Sequence, residues 1–400
     1  MKCGSGSSCT ETSTPTTECE HDVIDKLKIA TIVGTRPEII KMAMTIKACD
    51  LYFDQVLIHT GQNYDYSLNQ VFFDDFGLRE PDFYLDAVGD TLGSTMGNII
   101  AKSYEVLTEI QPDAILILGD TNSALSAISA KRLKIPIFHM EAGNRCFDEN
   151  LPEEINRKIV DHISDVNLPY SEHARRNLAA EGLKKEFTFV TGSPMQEVLT
   201  SSAKGIAEST VLETLGLESD GYMLVSAHRE ENVDDEANFA SLTSALNHIA
   251  VTYDMPIVFS THPRTRDRLV RHEVVLDERI RLLEPFGFFD YNRLQLDSFC
   301  VLSDSGTLAE ESAILGFSGV SLRTSTERPE VMDKGAFVIG GIHSKDIVRA
   351  IEMTRAMKAA HATAALVPDY QDANVSVKVA KLIQSHTKIV NKFIWRKAGA

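Results

Sequence analysis

Carboxylates at the ends of short apolar runs are the residues of this chain best suited to chemistry. Asp120 closes ILILGDTNSA, Glu141 closes IFHMEAGNR, and Glu153 and Glu154 follow in LPEEINRKIVDH. The apolar runs before them are too short for helices, so strands ending in loops are expected there. In an open parallel sheet, ligands bind in the crevice beyond the carboxyl ends of the strands. Carboxylates gathered in that crevice can exchange protons with a substrate if burial and mutual repulsion raise some of their pKa values. The pattern points to an acid–base enzyme. Asp is also a favoured helix N-cap, and capping is the lesser alternative for Asp120. Acidic residues in a first helical turn are common for dipole reasons alone, so at least one of Glu153 and Glu154 is expected to be structural.

Cations and anion cradles accompany these acids. GTRPEIIK, from Gly34 to Lys41, reads as a strand-to-helix turn carrying Arg36 and Lys41. Amide groups at a helix start, with two cations, would hold a diphosphate or a carboxylate; the plainer alternative is a tight turn whose Arg pairs locally. SAHREEN places His228 and Arg229 after the strand MLVSA, and STHPR supplies another strand-end histidine, His262. Histidine can give a proton to a leaving phosphate, although a lone one more often serves structure. In LSDSGTLAEES, Ser305, Gly306 and Thr307 would present backbone N–H groups at a helix N-terminus, and Glu311 could accept two ribose hydroxyls. The alternative is an ordinary helix capped by Asp304 or Ser305. RTSTERPE brings Arg323 and Arg328 to the same rim. The first half offers acids and the second an anion cradle. A nucleotide held by the second, with its sugar projecting toward the first, would use both.

Parallel sheets are needed to position these groups. KIATIVG, QVLIHTG, AILILGD and IPIFHMEAG alternate with helical periods in the first half. GYMLVSAHR, MPIVFSTHP, RIRLLEP, FCVLSDSG and GVSLRT do so in the second. This alternation is the βαβ signature, and the fold class is α/β with two Rossmann-like domains. Four hundred residues also exceed what one core usually supports. The expected division is a disordered tail over 1–26, a first domain over 27–192, and a second over 193–373. A hinge falls near Gly192 to Pro194. A closing helix at about 374–395 packs back onto the first domain.

Composition excludes other classes. A formal charge of −17 argues against nucleic acid and anionic membranes as partners, since such surfaces need clustered Lys and Arg. The longest apolar runs fall far short of the ~20 residues that span a bilayer, and the amino terminus has no apolar signal core. Of six cysteines, Cys3, Cys9 and Cys19 lie in the Ser/Thr-rich tail, while Cys49, Cys146 and Cys300 show no metal-ligand spacing. Reduced thiols of a cytoplasmic enzyme without a metal are the expectation.

GTRPE, LGDT, MEAG, PEEINR, HRxEN, DSGTLAEE and TERPE occur in this order over about three hundred residues. Singly they are weak, but the ordered set strongly resembles the non-hydrolysing UDP-N-acetylglucosamine 2-epimerase family. The resemblance implies glycosyltransferase-B architecture with an interdomain active site, a UDP-sugar substrate, no cofactor and a homodimer. It implies elimination of UDP to a 2-acetamidoglucal, followed by re-addition with C2 inverted. Asp120, Glu141 and Glu153 match the family's acid–base carboxylates, and His228 its histidine near the diphosphate. Arg36, Lys41, Ser305, Gly306, Glu311 and Arg328 match positions that contact the nucleotide and phosphates. There are departures. EAGNRCFD replaces the usual EAGLRT, and DSGT replaces DSGG. MEAGNRCFD, PEEINRKIVDH and DYNxLQL look more like the branch that acts on UDP-2-acetamido-2,6-dideoxy-L-talose to give UDP-N-acetyl-L-fucosamine. GQNYDYSL departs from the polar pattern linked with an activating second UDP-N-acetylglucosamine site. A glycosyltransferase of the same architecture, a hydrolysing epimerase and a nucleotide-sugar binding protein are the competing readings.

Overall fold

The computed structural model describes residues 25–61, 70–362 and 366–398. The cysteines of the tail, and GQNYDYSL beyond Gly61, lie outside the described residues. The first half forms a six-stranded sheet of β1 (Lys28–Val33), β2 (Asp54–His59), β3 (Phe83–Tyr84), β4 (Ala114–Leu118), β5 (Ile137–Met140) and β6 (Val166–Leu168), in the order β3-β2-β1-β4-β5-β6. The second half forms another from β7 (Met223–Ser226), β8 (Ile257–Ser260), β9 (Ile280–Leu283), β10 (Cys300–Ser303), β11 (Gly319–Ser321) and β12 (Val338–Ile339), in the order β12-β11-β10-β7-β8-β9. All the pairings are parallel. Helices cover both faces of each sheet, so the central strands are buried and largely apolar. AILIL of β4 and MLVS of β7 are buried at every position.

Numbered from its own first strand, the second sheet repeats the order of the first. Each therefore has one point where the winding reverses, between β1 and β4 and between β7 and β10. Such reversals open a crevice at the carboxyl ends of the two strands. GTRPE follows β1 and LGDT follows β4; SAHR follows β7 and DSGT follows β10. The four motifs thus flank the two crevices. This is the glycosyltransferase-B architecture expected from the sequence.

The closing helix Val375–Phe393 buries Val375, Val379, Ile383 and Val390, spaced so that one helical stripe faces inward. These residues join the first-half core with Ile39, Met42 and Ile46 of the helix Arg36–Tyr52. Met195, Val198 and Leu199 of the helix Met195–Glu208 enter the same core, as does Phe288 from the second half. The two halves therefore share apolar surface as well as a cleft. No helix among the described residues is long and apolar enough to cross a membrane.

Ile383 is fully buried in that shared core. Ile383→Ala is expected to cost about 2–5 kcal/mol, the usual range for emptying such a site. Denaturant unfolding monitored at the first transition measures it, and a loss below about 1 kcal/mol would show that the helix does not anchor the core.

Candidate active site

A cleft of about 550 Å³ opens between the carboxyl ends of the two sheets. Asp120, Glu141, Glu153 and Lys41 line it from the first half, and His228, Ser305, Gly306 and Arg328 from the second. Arg36 and Glu311 are not among its lining residues. They lie next to it, near enough for each to influence the other's charge.

Local sequence explains the placement of the acids. Asp120 leaves β4 through Gly119, whose φ of +69° suits a residue without a side chain. Arg157 grips the Asp120 carboxylate at 2.5 and 3.0 Å. Asp120 lines the cleft with its carboxylate held by Arg157. Glu141 has a φ of +62°, a left-handed backbone that is rare for a residue with a side chain. Such strain clusters at functional positions. Lys41 Nζ lies 2.7 Å from Glu141 Oε2, and Arg328 Nη2 lies 2.5 Å from Oε1. Burial alone would raise the Glu141 pKa, but the Lys41 and Arg328 charges outweigh it and hold the carboxyl below its ordinary value.

Glu153 and Glu154, adjacent in the first turn of the helix Pro152–Ile163, take different roles. Glu153 is partly exposed and lines the cleft. Glu154 is fully buried, pairs with Arg157 at 2.8 Å and accepts the backbone N–H groups of Cys146 and Phe147 at 3.2 and 3.4 Å. It fastens the loop after Glu141 to the helix. Cys146 and the buried Cys49 and Cys300 are free thiols.

On the opposite wall, the Asp304 carboxylate accepts N–H bonds from His228 at 3.0 Å, Arg229 at 3.0 Å and Asn232 Nδ2 at 3.0 Å. It thus ties the turn after β7 to the turn after β10. Burial, with the Arg36 and Arg229 charges, keeps the His228 imidazole below its ordinary pKa despite Asp304. The His262 ring stands 6.2 Å from that of His228. The Ser305 and Thr307 hydroxyls are 3.0 Å apart at the start of the helix Leu308–Leu315. Burial raises the Glu311 pKa, and Gln295 bonds its carboxylate at 2.6 Å.

Several groups that hold this arrangement were not apparent in the sequence. Glu38 accepts from Gly34 N at 3.1 Å and from Thr35, Thr121 and Ser123 hydroxyls at 2.7, 3.0 and 3.2 Å. It joins the turn after β1 to the turn after β4. Gly34 permits the join, because a Cβ there would sit 1.9 Å from Thr60 Oγ1 and 2.3 Å from Ser123 Oγ. Glu327 lies between arginines; burial would raise its pKa, but Arg229, Arg323, Arg157 and Arg328 together hold it well below its ordinary value. Buried Asp161 braces the loop after β5, contacting Arg145 at 2.7 Å, Gly143 N at 3.1 Å and His139 Nδ1 at 3.0 Å.

Two parallel sheets facing across a cleft, with Asp120, Glu141 and Glu153 on one wall and the helix start at Ser305 to Thr307 on the other, define an α/β protein of the glycosyltransferase-B class. Comparison with known proteins narrows the class. The UDP-N-acetylglucosamine 2-epimerase family profile matches residues 47–384. A UDP-N-acetylglucosamine 2-epimerase structure from Rickettsia bellii is 46% identical, has a TM-score of 0.86, and covers 93% of this chain and 100% of that one. The Methanocaldococcus jannaschii UDP-GlcNAc 2-epimerase in complex with UDP-GlcNAc and UDP is 32% identical, with a TM-score of 0.84 over 90% of this chain and 99% of that one. The Pseudomonas aeruginosa UDP-2,3-diacetamido-2,3-dideoxy-D-glucuronate 2-epimerase is 34% identical over 81% of this chain and 91% of its own length. The chain belongs to the UDP-N-acetylglucosamine 2-epimerase family, as its ordered motifs imply, and is an isomerase with 2-epimerase activity on UDP-sugars.

Burial pushes the Glu38 carboxyl from 4.5 up to about 7, against the hydrogen bonds that lower it. The folded protein then keeps a proton that the unfolded chain releases. The associated stability is full below pH 4.5 and is lost as pH rises through about 7. Glu38→Gln cannot titrate, so its melting temperature is expected to fall less than that of the wild type across this window. Parallel melting curves for the two proteins would remove Glu38 as the cause.

Proposed function

We propose that the protein interconverts UDP-N-acetylglucosamine and UDP-N-acetylmannosamine without hydrolysis or an added cofactor. The observation that carries this reading is the pairing of walls. Asp120, Glu141 and Glu153 face Ser305, Gly306 and His228 across one cleft. The UDP-GlcNAc and UDP named in the Methanocaldococcus jannaschii complex support the choice of ligand.

The C2 proton of a closed sugar ring is not acidic, so the leaving group must depart for that proton to be removed. In the proposed reaction Glu141, kept ionised by two cations, takes the proton from C2. The C–H electron pair becomes the C1–C2 double bond, and the C1–O electron pair leaves with UDP. The helix start at Ser305 and Gly306 receives the diphosphate through backbone N–H groups. Arg36 and His228 stand close to that charge, and Glu311 holds the ribose. Lys41 and Arg328 keep Glu141 aimed at the sugar while presenting positive charge to the phosphates. Asp120 and Glu153 supply the acid–base partners that return a proton to the other face of C2 as UDP adds back. We propose that the two halves act as separate domains that close on the substrate, in a cytoplasmic homodimer.

A second reading has a 6-deoxy substrate, UDP-2-acetamido-2,6-dideoxy-L-talose. It is favoured by the segment that departs from the main family, because Asp148 and Asn150 of that segment line the cleft. Incubation with each UDP-sugar separates the two.

Turnover of UDP-N-acetylglucosamine in deuterium oxide is expected to give a UDP-linked epimer with deuterium at C2. NMR of the product separates this from the alternatives: free sugar marks a hydrolase, and no reaction without an acceptor marks a transferase. An epimer lacking deuterium would overturn the elimination route. Asp120→Asn is expected to lower kcat by about 100- to 10,000-fold while UDP still binds. Unimpaired turnover would remove Asp120 from the mechanism.

A further inference from the structure

Behind Glu141 stands a second carboxylate that does not line the cleft. The Glu310 side chain is fully buried, and the Ser193 hydroxyl donates to its Oε1. Lys41 Nζ lies 3.5 Å and Arg328 Nη2 3.2 Å from Glu310 Oε2. The same two cations reach Glu141 at 2.7 and 2.5 Å. Each cation therefore touches both carboxylates, and the four side chains close a ring of formal charge zero. Lys41 and Glu141 come from the first half of the chain, Glu310 and Arg328 from the second. Two edges of the ring cross between the halves. The Tyr170 ring packs against both cations, with its centroid 5.9 Å from Lys41 Nζ and 5.5 Å from Arg328 Cζ.

Two buried cations acting on one carboxylate would stabilise its charged form strongly and leave it a poor base. A second carboxylate shared between them draws part of that attraction away. It also removes the cost of burying a net positive charge at the joint. We infer that Glu310 is a positioning residue for the epimerisation: by sharing Lys41 and Arg328 with Glu141, it keeps Glu141 both fixed and basic enough to take a proton from carbon. The charged and titratable groups facing Glu141 are Lys41 from the helix Arg36–Tyr52, Tyr170 after β6, and Glu310, Glu327 and Arg328 from the second half. Among these, Glu310 opposes both cations without lining the cleft.

The inference rests on the proposed role of Glu141, so the test is a double-mutant cycle with UDP-N-acetylglucosamine. Glu310→Gln keeps an acceptor for Ser193 and removes the charge; Glu310→Asp keeps the charge. Glu310→Gln is expected to lower kcat on the order of 10- to 100-fold, as small misplacements of a catalytic group do, with KM within about threefold of wild type. Glu310→Asp is expected to recover part of the loss. In a Glu141→Gln background, assayed in single turnover, Glu310→Gln should cost nothing further, because the residue it acts through is gone. The same loss in both backgrounds, or a loss of kcat that follows a fall in melting temperature and in UDP affinity, would overturn the inference. If Glu310→Gln does not fold, the cycle built with Glu310→Asp decides by the same criterion. A Glu141→Gln enzyme with full turnover would instead sink the reading of Glu141 itself, leaving the two failures distinct.

Discussion

On the proposed mechanism Glu141 takes a proton from carbon, so it must be held out of water yet not left alone there, and this constraint shapes the centre of the molecule. An unpaired buried carboxylate is costly enough that it neutralises instead. One paired with a single cation in water would wander. Here Glu141 is gripped from two directions, by a lysine one hundred residues before it and an arginine nearly two hundred residues after it. Because those partners belong to different sheets, the site is complete only when the halves are together.

The repeated strand order explains why the halves can meet in this way. Each sheet reverses its winding once, and each reversal is flanked by two loops carrying polar side chains. In the first half these loops are joined by Glu38, and in the second by Asp304. Glu38 collects donors from both of its turns, while Asp304, itself in the turn after β10, collects them from the segment after β7. The walls of the cleft are therefore braced within each half before they face one another. The groups proposed to transfer protons and to hold phosphates stand on a frame common to both halves.

Much of this frame could be read in the sequence, because strands buried on both faces are short apolar runs ending in polar loops. β3, β6 and β12 gave no such signal, being two or three residues long and lying toward the sheet edges. Asp120 and Glu141 were legible as strand-end carboxylates; Glu153 and Glu154 open a helix instead of following a strand, and one of the pair, Glu154, is structural through its bonds to Arg157 and the loop after β5. What could not be read was pairing over long separations. Glu310 looks like an ordinary acidic residue in a first helical turn, and only its partners Lys41 and Ser193 show otherwise. Arg328 was legible as a rim cation, whereas its hold on Glu141 depends on how the two halves meet. Asp161 and His139 sit inside elements whose pattern asks nothing of them, and their bonds run to loops.

Glu141 occupies a backbone conformation in which glycine would rest more easily. On the proposed mechanism, the residue least comfortable in its own dihedral angles is also the one the reaction can least do without. A glycine there would relax the backbone yet leave Lys41 and Arg328 with Glu310 as their shared carboxylate, so a buried positive charge would go uncompensated and stability would fall. Selection for heat resistance alone would therefore keep a carboxylate at this position even where turnover no longer mattered.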